Sequence, residues 1–159
     1  MRMCHAVQTH ASVARYTEPV SAVWHDILAF MRQIVGLIGV YDANGSLRGE
    51  LAYWIGARLG RTHCALCDIT HGSVRERPAW RVCRAGLAVP FVTYHRDDQP
   101  DEVRVATRDI APAVVAEIAD GLVPLLGPAE LEACHGSIAE FVATLDRVLE
   151  RLDLSWPST

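Results

Sequence analysis

The chain has 159 residues, half of them hydrophobic, which is about one domain's length with ample material for a single core and excludes a disordered, collagen-like or fibrous protein. Its 15 basic residues, all arginine, stand against 19 acidic ones for a formal charge of −4, so nucleic acid is not an expected partner. The longest apolar stretch, Ile34 to Tyr41, is eight residues with two glycines, too short to span a bilayer, and five cysteines are an odd number that does not suit a secreted disulfide framework. Met1 to His5 lead into polar residues rather than a hydrophobic signal core. The expectation is a soluble, cytoplasmic protein with no membrane partner.

Residues 1–30 read as an N-terminal extension with one helix. Thr17-Glu18-Pro19 supplies a cap, an acid and an N1 proline, and Val20, Val23, Ile27 and Phe30 follow at helical spacing. This segment fits either a docking helix or a leader ahead of Met31. Residues 31–155 read as the domain proper and alternate strand and helix, the signature of an α/β layer structure. Gln33 to Asp42 is a continuous apolar run, expected as a central strand buried on both faces. Asn44 or Ser46 caps an expected helix from Leu47 to Arg58. His63 to Thr70 reads as a second strand, Pro78 to Leu87 as a short helix, and Val89 to His95 as a strand. In that helix Trp80, Cys83 and Leu87 point inward and Arg77, Arg81 and Arg84 outward. Asp97 to Glu102 is an acidic turn, and Val103 to Thr107 a short strand. Ala113 to Ala119 and Leu122 to Leu126 form a hairpin about Asp120-Gly121. Ser137-Ile138-Ala139-Glu140 is a capping box, and behind it Ile138, Phe141, Val142, Leu145, Val148, Leu149 and Leu152 make one apolar stripe.

This order resembles the thioredoxin-like fold over residues 33–152, which implies a central mixed β-sheet flanked by helices. Pro112 stands directly before the strand that enters the hairpin, where thioredoxin-like proteins carry a cis-proline beside their active site. Tyr41-Asp42-Ala43 is similar to the start of the pattern of DCC-type thiol-disulfide oxidoreductases, in which Tyr-Asp-Gly runs into Cys-x-x-Cys at a helix N-terminus. Those two cysteine positions fall here on Gly45 and Arg48. The resemblance therefore implies the fold without the activity at that place.

The reactive residues concentrate instead between His63 and His71, where two thiols, two imidazoles and a carboxylate lie within nine residues. One reading is a transition-metal site. Cys64 and Cys67 have the separation that lets both sulfurs reach one ion, His71 follows, and His63, Cys83, His95 or solvent completes the set. Zinc is the first expectation and copper the second. No glycine pattern marks a nucleotide cofactor. A second reading is a redox dithiol of Cys64 and Cys67. On a strand these side chains would point to opposite faces, and Asp68 would oppose thiolate formation. A third is a non-catalytic interaction domain in which both cysteines are small buried hydrophobes, as Cys83 and Cys134 are expected to be at helical core positions. The metal site is the leading expectation. His71 is the expected general base or metal ligand, with Asp68 the carboxylate beside it. Asp42, Asn44, Ser46 and Pro112 would meet this cluster at the carboxyl edge of the sheet, where open α/β sheets bind ligands. A small molecule or thiol partner would bind there.

Overall fold

An apolar strand buried on both faces needs a hydrogen-bonded neighbour on each edge and cover above and below. A computed structural model describes residues 27, 31–43, 64–72 and 75–158, and it surrounds β1 (Ile34–Tyr41) in this way. The elements that follow are α1 (Ala65–Thr70), α2 (Pro78–Ala85), β2 (Phe91–His95), α3 (Asp101–Thr107), β3 (Ala113–Ile118), β4 (Gly121–Leu126), α4 (Pro128–Glu132) and α5 (Ile138–Arg151). The four strands form one mixed sheet in the order β2-β1-β3-β4, flanked by helices. This is an α/β architecture.

β2 runs parallel to β1, with Tyr41 opposite His95, whereas β3 runs antiparallel to it, with Val40 opposite Ala113. The carboxyl ends of β1 and β2 and the amino end of β3 therefore share one edge of the sheet. The Ala111–Pro112 peptide is cis, and the register sets buried Pro112 across from Tyr41 at that edge.

On one face, Leu37, Val114 and Ala116 join Leu66, Ile69, Trp80, Phe91, Leu131, Phe141 and Leu145 in the main core. Trp80, Phe91 and Phe141 meet edge to face, with ring centroids 5.1 to 6.2 Å apart. Gly39 is needed beneath them, because a Cβ there would lie 3.0 Å from the Phe91 ring and 3.2 Å from Leu66. Val40, Ala113 and Val115 are left for the other face, on the side where α3 packs against β3 and β4. The chain end returns to β1, where Gln33 bridges Ser155 and the Arg32 guanidinium holds the Asp153 carboxylate at 3.0 Å. No helix among the described residues is long and apolar enough to cross a membrane.

Several local expectations are corrected. His63 to Thr70 is not a strand. Cys64 caps a helix whose inward positions are Ala65, Leu66, Ile69 and Thr70, and so short an apolar run does not distinguish the two periods. Val103 to Thr107 belongs to helix α3, which opens at Asp101 with Asp101 and Glu102 in its first turn and buries Val103 and Thr107 at i, i+4 spacing. The hairpin turn is Ala119-Asp120, because Gly121, at φ 135°, already pairs with Ile118. Arg77 is not a solvated side chain. It donates to the carbonyls of Asp68, Ile69 and Gly136 and satisfies the end of α1. Cys134 is buried, just beyond α4 rather than within a helix. α4 itself escaped notice in the sequence, although Pro128 opens it and the Glu130 carboxylate accepts the Gly127 N–H at 3.0 Å. The expected helix at Leu47 to Arg58 lies outside the described residues. So does the N-terminal helix, apart from Ile27, which is helical.

Phe141 has no exposed surface and touches both other aromatic rings, so Phe141→Ala is expected to lower unfolding free energy by about 3–5 kcal/mol in chemical denaturation. Val82→Ala, at a side chain 76% exposed, is expected to change it by less than about 0.5 kcal/mol.

Candidate functional site

The helical form of residues 65–70 changes the geometry of the cysteines. Cys64 has extended backbone angles, φ −126° and ψ 100°, and occupies the N-cap, while Cys67 completes the first turn three residues later. Residues three apart lie on one side of a helix, so the two sulfurs face each other rather than opposite sides of a sheet. The Cys67 N–H donates to Cys64 Sγ at 3.3 Å. Cys64 is completely buried and Cys67 partly exposed.

This surrounding holds the Cys64 thiol below its ordinary pKa. The largest cause is a hydrogen bond from the Cys67 thiol, and backbone donors at Asp42 and Cys67 add to it. Burial and the Asp42 carboxylate act in the opposite direction and do not prevail. Asp42 thus reaches the dithiol, as the sheet-edge expectation required. Its carboxylate is in turn held by the Arg96 guanidinium at 2.8 Å, and the Arg96 N–H donates to the Ala43 carbonyl. Arg96 also reaches the Asp109 carbonyl, so one side chain joins the loops after β1, after β2 and before β3.

A second set of groups lies along α1. Thr70 is buried, and its hydroxyl donates to the Leu66 carbonyl at 2.8 Å. The same oxygen lies 3.1 Å from the Tyr41 phenol and 2.8 Å from His71 Nδ1, so one hydroxyl joins all three, and Thr93 is a further partner of the phenol. Burial is the main cause of a lowered His71 pKa; His95 adds to it and the Glu76 carboxylate opposes it. Burial likewise pushes the Tyr41 phenol up to about 12, which keeps it a donor at neutral pH. The Tyr41 ring sits between His71 and His95, 5.5 and 5.6 Å from them, and the Asp98 carboxylate pairs with His95 Nδ1 at 3.1 Å.

Cys64, Cys67 and His71 are thus all carried by α1 or its caps, with Asp42 and Pro112 at the adjoining strand ends. Asp68 is exposed, and its backbone lies beside Gly136. His63, Asn44 and Ser46 lie outside the described residues. Among the described residues, no group of three or more His, Cys, Asp or Glu side chains is placed to hold a metal ion. Cys64, Cys67 and His71 belong to no such group among the described residues, and His63, the other expected zinc or copper ligand, lies outside them. Tyr41, Thr70 and Arg96 are the site residues that sequence reasoning missed, and His95, expected only as a possible metal ligand, is placed beside the Tyr41 ring. Tyr41 could have been found as the last residue of its strand, but Thr70 could not while its segment was read as a strand.

Thr70→Val preserves shape while removing one hydrogen-bond partner of the buried Tyr41 phenol, and a loss of about 1 kcal/mol in unfolding free energy is expected. A histidine with a folded-state pKa below its unfolded value of 6.5 binds more protons when unfolded. Its stabilising contribution is therefore complete above that pH and falls away as pH drops through and below it. His71→Gln is expected to flatten this part of the pH–stability profile, measured by denaturation midpoints from about pH 7 to about pH 5.

The chain matches no protein-family model, no curated protein and no solved structure. A functional reading rests on the geometry at this sheet edge.

Proposed function

We propose that the protein is a thioredoxin-like thiol-disulfide exchange protein whose redox pair is Cys64 and Cys67. The observation that carries this reading is the placement of both sulfurs on one helical turn, with the Cys67 N–H 3.3 Å from Cys64 Sγ and the Cys67 thiol bonded to the same sulfur. Cys-x-x-Cys in this conformation can close a reversible disulfide, and a lowered thiol pKa supplies a thiolate for exchange. The objection that a strand would separate the side chains no longer applies.

The surroundings support the same reading. The order β2-β1-β3-β4, the parallel β1–β2 pair, the β3–β4 hairpin and a proline directly before β3 are the arrangement expected of a thioredoxin-like domain. The DCC-type pattern would put its cysteines at Gly45 and Arg48. Here Cys64 and Cys67 supply the pair from later in the chain, and Cys64 sits beside Asp42 at the end of β1. In exchange, a substrate thiolate attacks one sulfur of the Cys64–Cys67 disulfide and the other leaves as a thiolate. A second substrate thiolate then displaces the protein from the mixed disulfide, so the substrate gains a disulfide and the protein pair gains two electrons. The reverse sequence reduces a substrate disulfide. His71, whose pKa burial lowers and which stands at the end of α1, is suited to receive the proton of an incoming thiol.

One equivalent of a mild oxidant is expected to convert wild-type protein to a form with an internal Cys64–Cys67 disulfide, reversed by dithiothreitol and located by peptide mapping. Prior treatment with a chelator is expected to leave this unchanged. Failure of the disulfide to form would leave the non-catalytic reading, and thiols released to the oxidant only after chelation would restore the metal reading.

A further inference from the structure

We propose, resting on the reading of Cys64 and Cys67 as an exchanging pair, that the two sulfurs divide the reaction with Cys67 as the one attacked from outside and Cys64 as the internal leaving group and resolving thiolate. The first argument is access. Attack on a disulfide requires the incoming sulfur to approach along the S–S axis, behind the sulfur it bonds to. Cys64 has 0% exposed surface, whereas Cys67, one turn along the same side of α1, is partly exposed. An external thiol reaches Cys67 and not Cys64.

The second argument is the fate of the charge. When a bond forms to Cys67 Sγ, the electron pair of the broken S–S bond passes to Cys64 Sγ. That sulfur already faces a fixed donor, the Cys67 N–H at 3.3 Å, so negative charge develops where the backbone is oriented to receive it. Thiols of lower pKa also leave faster, and the lowered pKa of Cys64 acts in the same direction. Access and leaving-group quality agree on one assignment, which makes the second cysteine of the motif the substrate-facing one.

The complete step for a dithiol substrate balances as follows. A substrate thiolate bonds to Cys67 Sγ and Cys64 departs as a thiolate. The second substrate thiol, deprotonated, attacks the substrate sulfur of the mixed disulfide and forms the substrate's own disulfide. Cys67 is released as a thiolate and takes a proton. The substrate loses two electrons and the protein pair gains them. When the substrate does not complete this second attack, the Cys64 thiolate attacks Cys67 Sγ and expels the substrate thiolate, which returns the protein disulfide.

The test uses full-length Cys64→Ser and Cys67→Ser variants, incubated reduced with glutathione disulfide at neutral pH. Serine retains a capping oxygen at position 64, and comparison of the circular dichroism spectra establishes that each variant is folded. Cleavage at Arg61 and Arg75 releases both positions on one peptide, and each variant leaves only one cysteine in it, so the adduct is unambiguous. Cys64→Ser is expected to acquire glutathione on Cys67 at least about tenfold faster than Cys67→Ser acquires it on Cys64, as access and attack geometry require. Equal rates, or faster capture by Cys64, would overturn the division of roles. Wild-type protein oxidised in parallel separates the two levels. An internal disulfide with the reverse order of capture sinks the assignment alone, and the absence of any internal disulfide sinks the exchange reading together with it.

Discussion

β1 is buried along most of its length, with Val35 its one exposed residue, and most of the molecule follows from that constraint. Its backbone pairs with β2 on one edge and β3 on the other, Leu37 and Gly39 look toward the aromatic core, and Val40 looks the opposite way. A strand so enclosed is a rigid reference for whatever stands at its end. One parallel and one antiparallel neighbour bring Tyr41, His95 and Pro112 to the same edge, because parallel strands end together and an antiparallel strand begins there. A candidate site arises at this edge from pairing geometry before any reactive side chain is considered.

The short helix α1 is then placed by polar bonds as much as by its apolar face. Six residues are too few for a helix to be stable alone. Leu66 and Ile69 bury one side, Arg77 satisfies carbonyls at its carboxyl end, and the Thr70 hydroxyl ties it to Tyr41. The Thr70 hydroxyl links stability to chemistry, because it joins the Leu66 carbonyl, the Tyr41 phenol and His71 Nδ1 at one point. The same docking holds Cys64 against Asp42. Arg96 adds a further constraint from outside, since its contacts with Asp42, Ala43 and Asp109 hold three loops around the dithiol.

Burial has opposite consequences for the titrating groups of this cluster. It keeps Tyr41 protonated and His71 neutral, because neither has an ionised partner close enough to offset the loss of water. At Cys64 burial also opposes charge, yet donors from Cys67 and Asp42 outweigh it. The cluster thus combines an imidazole and a phenol that burial holds neutral with a thiol whose pKa is lowered, a combination that fits the proposed exchange between sulfurs. The separate fates of Cys83 and Cys134 fit this account, since burial raises both of their pKa values with no comparable set of donors.

The elements with a sustained pattern were legible in the sequence. β1 announces itself by an uninterrupted apolar run, α5 by a capping box and a continuous stripe, and the β3–β4 hairpin by its turn residues, one position displaced. The α/β class and the cluster between His63 and His71 were legible for the same reason: composition and local period are properties of neighbouring residues. The helical state of residues 65–70 was not, because so short a run of small and apolar residues does not distinguish the two periods in sequence, and packing against β1, α4 and α5 decides for the helix. That decision turns Cys64 and Cys67 toward each other and brings Tyr41, Arg96 and His95 to their edge of the sheet from 23 to 32 positions away from Cys64 in the chain. Residue types and local spacing thus determined which groups were available for chemistry. Only the tertiary structure determined which of them meet, since contacts between strand ends, helix caps and loops depend on register and docking that no local pattern encodes.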